Sequence, residues 1–240
     1  VSSAASDVYK RQPSMRPTKA DYDRYLWLVQ RGNRLGWDEA IMAKDPPFSV
    51  ADPTLTFVLL RANKDLAFMS EAFGFPTDEI DQWCRTLEMG CASLRHPETE
   101  HYNAINLKSG EHTGYLTSAS FLCWYAGIGD EGMLGLLKNT LQNTLYPIPS
   151  LDNNSSEFDG LRYWRGPTWP ILNALIGLGL SDMDHEKEAE IIRSRTRELI
   201  SRHGFAEYFN PMTGAPGGGK AFSWTAAVWL AWASPSVGAK

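Results

Sequence analysis

An apolar run at helical spacing, placed behind a proline, constrains this chain more than any other feature. Asp52-Pro53 reads as a helix start: a capping carboxylate, then a residue whose missing N–H costs nothing in the first turn. Leu55, Val58, Leu59, Ala62, Leu66, Met69 and Phe73 follow, mostly at intervals of three and four, and Gly74 ends the run. That period marks one face of an α-helix and suits no strand. It returns along the chain. Tyr22, Tyr25, Leu26 and Val29 follow Asp21, and Ile80, Trp83, Leu87, Cys91 and Leu94 lie between Thr77 and His96-Pro97. Further helices are expected over 117–126, 130–144, 184–203 and 222–233, with a short piece between Trp37 and Lys44. Helices apolar nearly all round alternate with helices charged on one face, as two packed helical layers require. The one hint of β-structure is a small hairpin between Glu100 and Gly110. The expected class is all-α, in one domain over residues 21–235. Residues 1–20 lack periodicity and are expected to be disordered or foreign to that domain.

Composition removes several function classes. A net charge of −5 offers no attraction to nucleic acid or to an anionic membrane. No apolar run reaches the ~18 residues of a membrane span. The opening VSSAASDVYKRQPSM lacks the apolar centre of a secretory signal, so the expected location is the cytoplasm. Cys84, Cys91 and Cys123 are too few and too scattered for a disulfide framework or a zinc site, and read as reduced core thiols. No metal or other cofactor is expected.

Chemistry gathers in two stretches. The first is Leu161–Asn173, LRYWRGPTWPILN, with Tyr163, Trp164, Arg165 and Trp169 around a Gly-Pro pair. Pro167 is expected in the first turn of a buried helix carrying Ile171, Leu172, Leu175 and Ile176, which Gly177 and Gly179 would end. Flat rings beside a guanidinium suit a polar ligand with apolar faces, such as a sugar, although the same rings also serve as core. The second stretch is Gly204–Trp224, GFAEYFNPMTGAPGGGKAFSW. Here Glu207 sits on a loop just past a helix end at Gly204. A carboxylate among Phe205, Tyr208 and Phe209 is a candidate general acid or base. Trp224 opens the last helix and would share the same mouth if that helix is an inner one. His112 reads as a solvated loop residue.

These stretches together carry a resemblance. YWRGPTWP, then EYFNPMTG about forty residues on, then FSWTAA, resemble glycoside hydrolase family 63. RGNRLGWDEA and PFSVADPTLTFVLLRANKDLA, upstream in the same order, are similar to its bacterial mannosylglycerate and glucosylglycerate hydrolases. The resemblance runs from Asp21 to Trp232. It implies an (α/α)6 barrel, the six-hairpin glycosidase toroid, and inverting hydrolysis of an α-glycosidic bond in a small carbohydrate substrate. It implies that Glu207 is the general base and that Tyr163, Trp164 and Trp169 line the sugar pocket, with Arg165 among them. Inverting enzymes also need an acid, roughly 6.5–9.5 Å from the base. The family's acid is an aspartate in a motif like ESGWDxSxRW, which this chain lacks, and Asp23, Asp38, Asp52 and Asp159 do not match it. The expectation is a C-terminal fragment with the base but not the acid, about two-thirds of a barrel, inactive alone. A related α-glucosidase, a trehalase-like enzyme and a non-catalytic sugar-binding fragment stay open as alternatives.

Overall fold

A computed structural model describes residues 17–236, so the expectation for residues 1–16 lies outside the described part. Nine α-helices form the framework among the described residues. They are α1 (Lys19–Arg34), α2 (Glu39–Met42), α3 (Pro53–Ala72), α4 (Asp78–Ser93), α5 (Ser118–Phe121), α6 (Glu131–Asn143), α7 (Pro170–Asp182), α8 (Glu186–His203) and α9 (Ser223–Val228). The last runs into a π-helical turn, Trp229–Ala233. Two antiparallel ribbons accompany them: β1 (Val50–Ala51) with β2 (Ile105–Asn106), and β3 (Tyr208–Phe209) with β4 (Pro216–Gly217).

Helix starts follow local capping chemistry. Asp52 accepts from the Leu55 N–H at 3.2 Å ahead of Pro53, and Asp130 accepts from the Met133 N–H at 2.9 Å. The first helix starts at Lys19, two residues ahead of Asp21, because Thr18 and Asp21 form a capping box. The helix after the aromatic motif departs further from expectation. It opens at Pro170, not Pro167, and runs through Gly177 and Gly179 to Asp182. Those glycines are contact points rather than stops. A Cβ on Gly177 would stand 2.4 Å from the Trp232 ring, and one on Gly179 2.3 Å from the Trp124–Tyr125 backbone. The helix expected over 117–126 shortens to α5 followed by tight turns to Gly127, whose φ is +71°. In place of a free-standing hairpin, β2 pairs with β1 while Ile105 also bridges His112.

The helices sort into two layers. One runs α3, α5, α7, α9. Arg61 and Lys64 of α3 donate to the carbonyls of Tyr125 and Ala126, just past α5, at 3.2 and 3.0 Å. The Trp124–Tyr125 backbone then lies on Gly179 of α7, and Trp232 lies on Gly177. The other layer runs α4, α6, α8. Arg95 pairs with Asp130 at the start of α6, and Lys138 of α6 reaches the buried Glu188 of α8 at 3.4 Å. Between the layers lies the main core, with Phe57, Leu60, Phe121, Leu122, Trp124, Met133, Leu137, Ile176 and Ile192 all closed to solvent. Each such side chain contributes about 1.5–3 kcal/mol on burial. Tyr146, Leu199, Ala206 and Phe209 form a second, smaller cluster.

The apolar stripe of α3 does not face the core. Leu55, Leu59, Met69 and Phe73 face outward, with Leu55 and Phe73 each 74% exposed. Phe57 and Leu60 enter the core instead. They share a flank with Arg61 and Lys64, whose bonds to the Tyr125 and Ala126 carbonyls turn that flank inward. No described helix is long and apolar enough to cross a membrane. The three cysteines are free, and burial pushes the Cys91 thiol up to about 11.

Candidate active site

The aromatic motif sits on a loop pinned at several points. Asp159 N–H donates to the Arg165 carbonyl at 2.8 Å, closing the loop on itself. Gly166 N–H donates to Ser150 Oγ at 2.9 Å, and a Cβ there would meet the Asp159 carbonyl at 2.5 Å. Thr168 and Phe209 exchange both backbone hydrogen bonds, at 2.8 and 3.0 Å. That exchange fastens the motif to the strand beside Glu207. Below it, the buried Asn173 donates to Thr168 Oγ1 and Thr196 Oγ1, tying the start of α7 to α8.

Tyr163 is the hinge of the loop. Its φ of +40° is a left-handed value that costs about 1–3 kcal/mol in a residue with a Cβ. Hydrogen bonds on its carbonyl and its hydroxyl help to hold it there. The Trp169 indole N–H donates to the Tyr163 carbonyl at 3.1 Å, and the Tyr163 hydroxyl donates to Glu207 Oε1 at 3.1 Å. Trp164 stacks on Trp169 with ring centres 4.0 Å apart and planes 7° from parallel. Trp169 is 2% exposed and Trp164 47%, so the stack presents one flat face outward. Tyr163 stands edge-on to both tryptophans and to Tyr208.

Glu207 is held from the other side by glycines. The Gly219 N–H donates to Glu207 Oε2 at 3.0 Å, and the Glu207 N–H donates to the Gly219 carbonyl at 2.9 Å. Gly218, with φ +69°, passes so close that a Cβ would lie 2.3 Å from Oε2. Gly217 is pressed on the Tyr208 ring in the same way, at 2.2 Å. The carboxylate is half-buried and held in orientation by the Tyr163 hydroxyl on Oε1 and the Gly219 N–H on Oε2. Such a group can orient a water and take its proton.

The structure brings Tyr163, Trp164, Trp169 and Glu207 into one constellation. Arg165 is exposed and lines a cavity of 380 Å³ with Trp164, Asp52, Tyr115, Thr117 and Glu157. Trp224 lies outside the ring cluster: it is half exposed, and its ring neighbour is Phe222 at 5.6 Å. A side-chain hydroxyl still ties its helix to the site, because Thr225 Oγ1 donates to the Ala206 carbonyl at 2.7 Å. Of the aromatic residues flanking Glu207 in sequence, only Tyr208 joins the cluster. Phe205 meets Trp229, and Phe209 enters the second core. His112 is not a loosely solvated residue, since its ring packs on His96 and Nε2 meets the Ser93 carbonyl. The glycine seat, Tyr115 and Glu157 escaped the sequence reading. Larger hollows of 460 and 610 Å³ lie along α1 near Trp37 and hold none of these residues.

Two helical layers carry an aromatic wall beside a held carboxylate, and this mostly helical arrangement is that of a known family. The chain belongs to the mannosylglycerate hydrolase MGH1-like glycoside hydrolase family, whose model matches residues 2–225. Mannosylglycerate hydrolase MGH1 of Selaginella moellendorffii is 38% identical over 224 residues, covering 91% of this chain and 46% of that protein. Glucosylglycerate hydrolase of Mycolicibacterium hassiacum is 28% identical, covering 95% of this chain and 54% of that protein. Among solved structures, the GH63 mannosylglycerate hydrolase of Thermus thermophilus in complex with glucose superimposes with a TM-score of 0.86 at 36% identity. The match covers 91% of this chain and 53% of that one. The chain therefore spans about half the length of the relatives it matches.

Proposed function

We propose that this chain supplies the general-base side of an inverting glycoside hydrolase. The substrate is a small α-glycoside such as mannosylglycerate or glucosylglycerate, the compounds for which its relatives are named. The observation that carries the reading is the grip on Glu207 by the Tyr163 hydroxyl and the Gly219 N–H, beside the Trp164–Trp169 stack. Glu207 takes a proton from water as that water attacks the anomeric carbon opposite the leaving oxygen. Trp164 offers the sugar's apolar face a flat wall. Arg165 belongs to the cavity that continues from that wall, and Trp224 is assigned to substrate binding by the resemblance alone. The leaving oxygen needs a proton from a second carboxyl group. Asp38 and Asp52 are engaged as helix caps, Asp23 pairs with Lys19, and Asp159 accepts from the Leu161 N–H. On this reading the acid belongs to the part of the relatives that this chain does not cover. Residues 21–235 form the C-terminal part of an (α/α)6 toroid on this reading.

Glycosyl fluorides test the assignment, because fluoride leaves without a proton. The 240-residue chain is expected to hydrolyse α-mannosyl or α-glucosyl fluoride, releasing the β-sugar first, and to leave mannosylglycerate intact. Glu207→Gln is expected to slow fluoride release by about 10²–10⁴ while sugar still quenches tryptophan fluorescence. Equal release by wild type and Glu207→Gln would overturn Glu207 as the base.

A further inference from the structure

In the FSWTAA motif the candidate by residue type is Trp224, yet it is half exposed, whereas its neighbour Thr225 is 1% exposed. A buried hydroxyl needs a hydrogen-bond partner. For a threonine in a helix the usual one is a carbonyl one turn back in the same helix. Thr225 instead donates out of α9 to the Ala206 carbonyl, 19 residues away in sequence, at 2.7 Å. Ala206 is itself buried and directly precedes Glu207. Neighbouring bonds extend the same grip. The Phe222 N–H donates to the Phe205 carbonyl at 2.9 Å, the Glu207 N–H to the Gly219 carbonyl at 2.9 Å, and β3 pairs with β4 beyond them. On Phe205 and Ala206 the bond from Thr225 is the one that starts from a side chain. Two residues past Glu207, Phe209 is held by Thr168, just ahead of α7. The stretch that carries the carboxylate is therefore pinned on both sides by residues at helix starts.

We propose, on the reading of Glu207 as the base, that Thr225 is a positioning residue for hydrolysis. Its hydroxyl fixes the Ala206 carbonyl, and that fixes where the Glu207 carboxylate stands between the Tyr163 hydroxyl and the Gly219 N–H. Buried as it is, Thr225 acts only through the backbone it holds. A misplacement of about 1 Å in a reacting group can cost about 10² in rate, so a lost anchor one residue away from the base is felt in turnover.

Three variants of the full chain test this with a glycosyl fluoride. Thr225→Val keeps the shape and removes the donor, Thr225→Ala removes donor and bulk, and Thr225→Ser keeps the donor. The first two are each expected to lower kcat by about tenfold or more with KM changed by less than about threefold, and Thr225→Ser to recover most of the loss. In a Glu207→Gln background, Thr225→Val is expected to slow release by less than about twofold, because the group it positions is gone. A crystal structure of Thr225→Val is expected to show the carboxylate moved off the Gly219 N–H, and it decides the point even for a chain that releases no fluoride. If Glu207→Gln slows release and Thr225→Val does not, the proposal falls while Glu207 stands as the base. If Glu207→Gln leaves release unchanged, the base assignment falls and takes Thr225 with it. An equal loss from Thr225→Val in both backgrounds, an unmoved carboxylate, or loss of the cooperative melt in both Thr225→Val and Thr225→Ala would each overturn the proposal, leaving the hydroxyl a role in the fold alone.

Discussion

At the scale of single residues, Gly218 does two things that no other residue can do. Its φ of +69° lies where side chains are strained, and its missing Cβ makes room for Glu207 Oε2. Gly218→Ala is expected to cost about 1–2 kcal/mol of stability through the backbone. More tellingly, it must push the carboxylate away from the Gly219 N–H and the Tyr163 hydroxyl. Fluoride release from a glycosyl fluoride should fall at least tenfold, a loss of about 1.4 kcal/mol in transition-state stabilisation, with little change in sugar affinity at Trp164. Unchanged turnover in a folded Gly218→Ala protein would show that the glycine does not seat the carboxylate.

At the scale of elements, glycines separate packing positions from idle ones. Gly179 in α7 lies against the Trp124–Tyr125 backbone, which cannot rotate away as a side chain could. Gly179→Val should force α7 off the α5 turn and cost about 3 kcal/mol. Gly90 in α4 and Gly135 in α6 have nothing within 4 Å of an added Cβ and keep helical backbones. Gly90→Ala and Gly135→Ala should each stabilise the protein by about 0.5–1 kcal/mol. Urea unfolding of the three variants checks both signs at once. Destabilisation by Gly90→Ala or Gly135→Ala, or neutrality of Gly179→Val, would contradict the packing described.

At the scale of the whole molecule, stability is linked to pH through a buried histidine. Burial lowers the His101 pKa, with His96 adding to the effect and a Tyr102 backbone bond and Asp152 opposing it. The Asn103 amide donates to Nδ1 at 2.7 Å, which suits the neutral ring. Below the ordinary histidine value of about 6.5, the unfolded chain takes up a proton that the folded chain refuses. Stability should therefore be full above that value and fall as the pH drops toward the lower folded value. The urea midpoint is expected to be lower at pH 5.5 than at pH 7.5. His101→Gln should lower the midpoint at both pH values and shrink the difference between them. An unchanged difference would place the linkage elsewhere.

Helix identity was legible in the sequence because its causes are local. Caps such as Asp52 and Asp130 and the Gly204 stop act within one turn, and the three-to-four period needs no partner to be seen. The meeting of Tyr163 with Glu207, 44 residues apart, was legible only through resemblance, since no local rule spans that distance. Tertiary structure alone decided which side of α3 turned inward, because periodicity reveals an apolar face and not the neighbour that will cover it. It alone moved the start of the helix after the aromatic motif to Pro170 and carried it through Gly177 and Gly179. A glycine is the same letter whether it ends a helix, bends a turn or lets another backbone approach, and the missing Cβ serves all three. For the same reason the run from Gly217 to Gly219 read as a turn, while the fold pressed it against Tyr208 and Glu207 to hold the carboxylate in place.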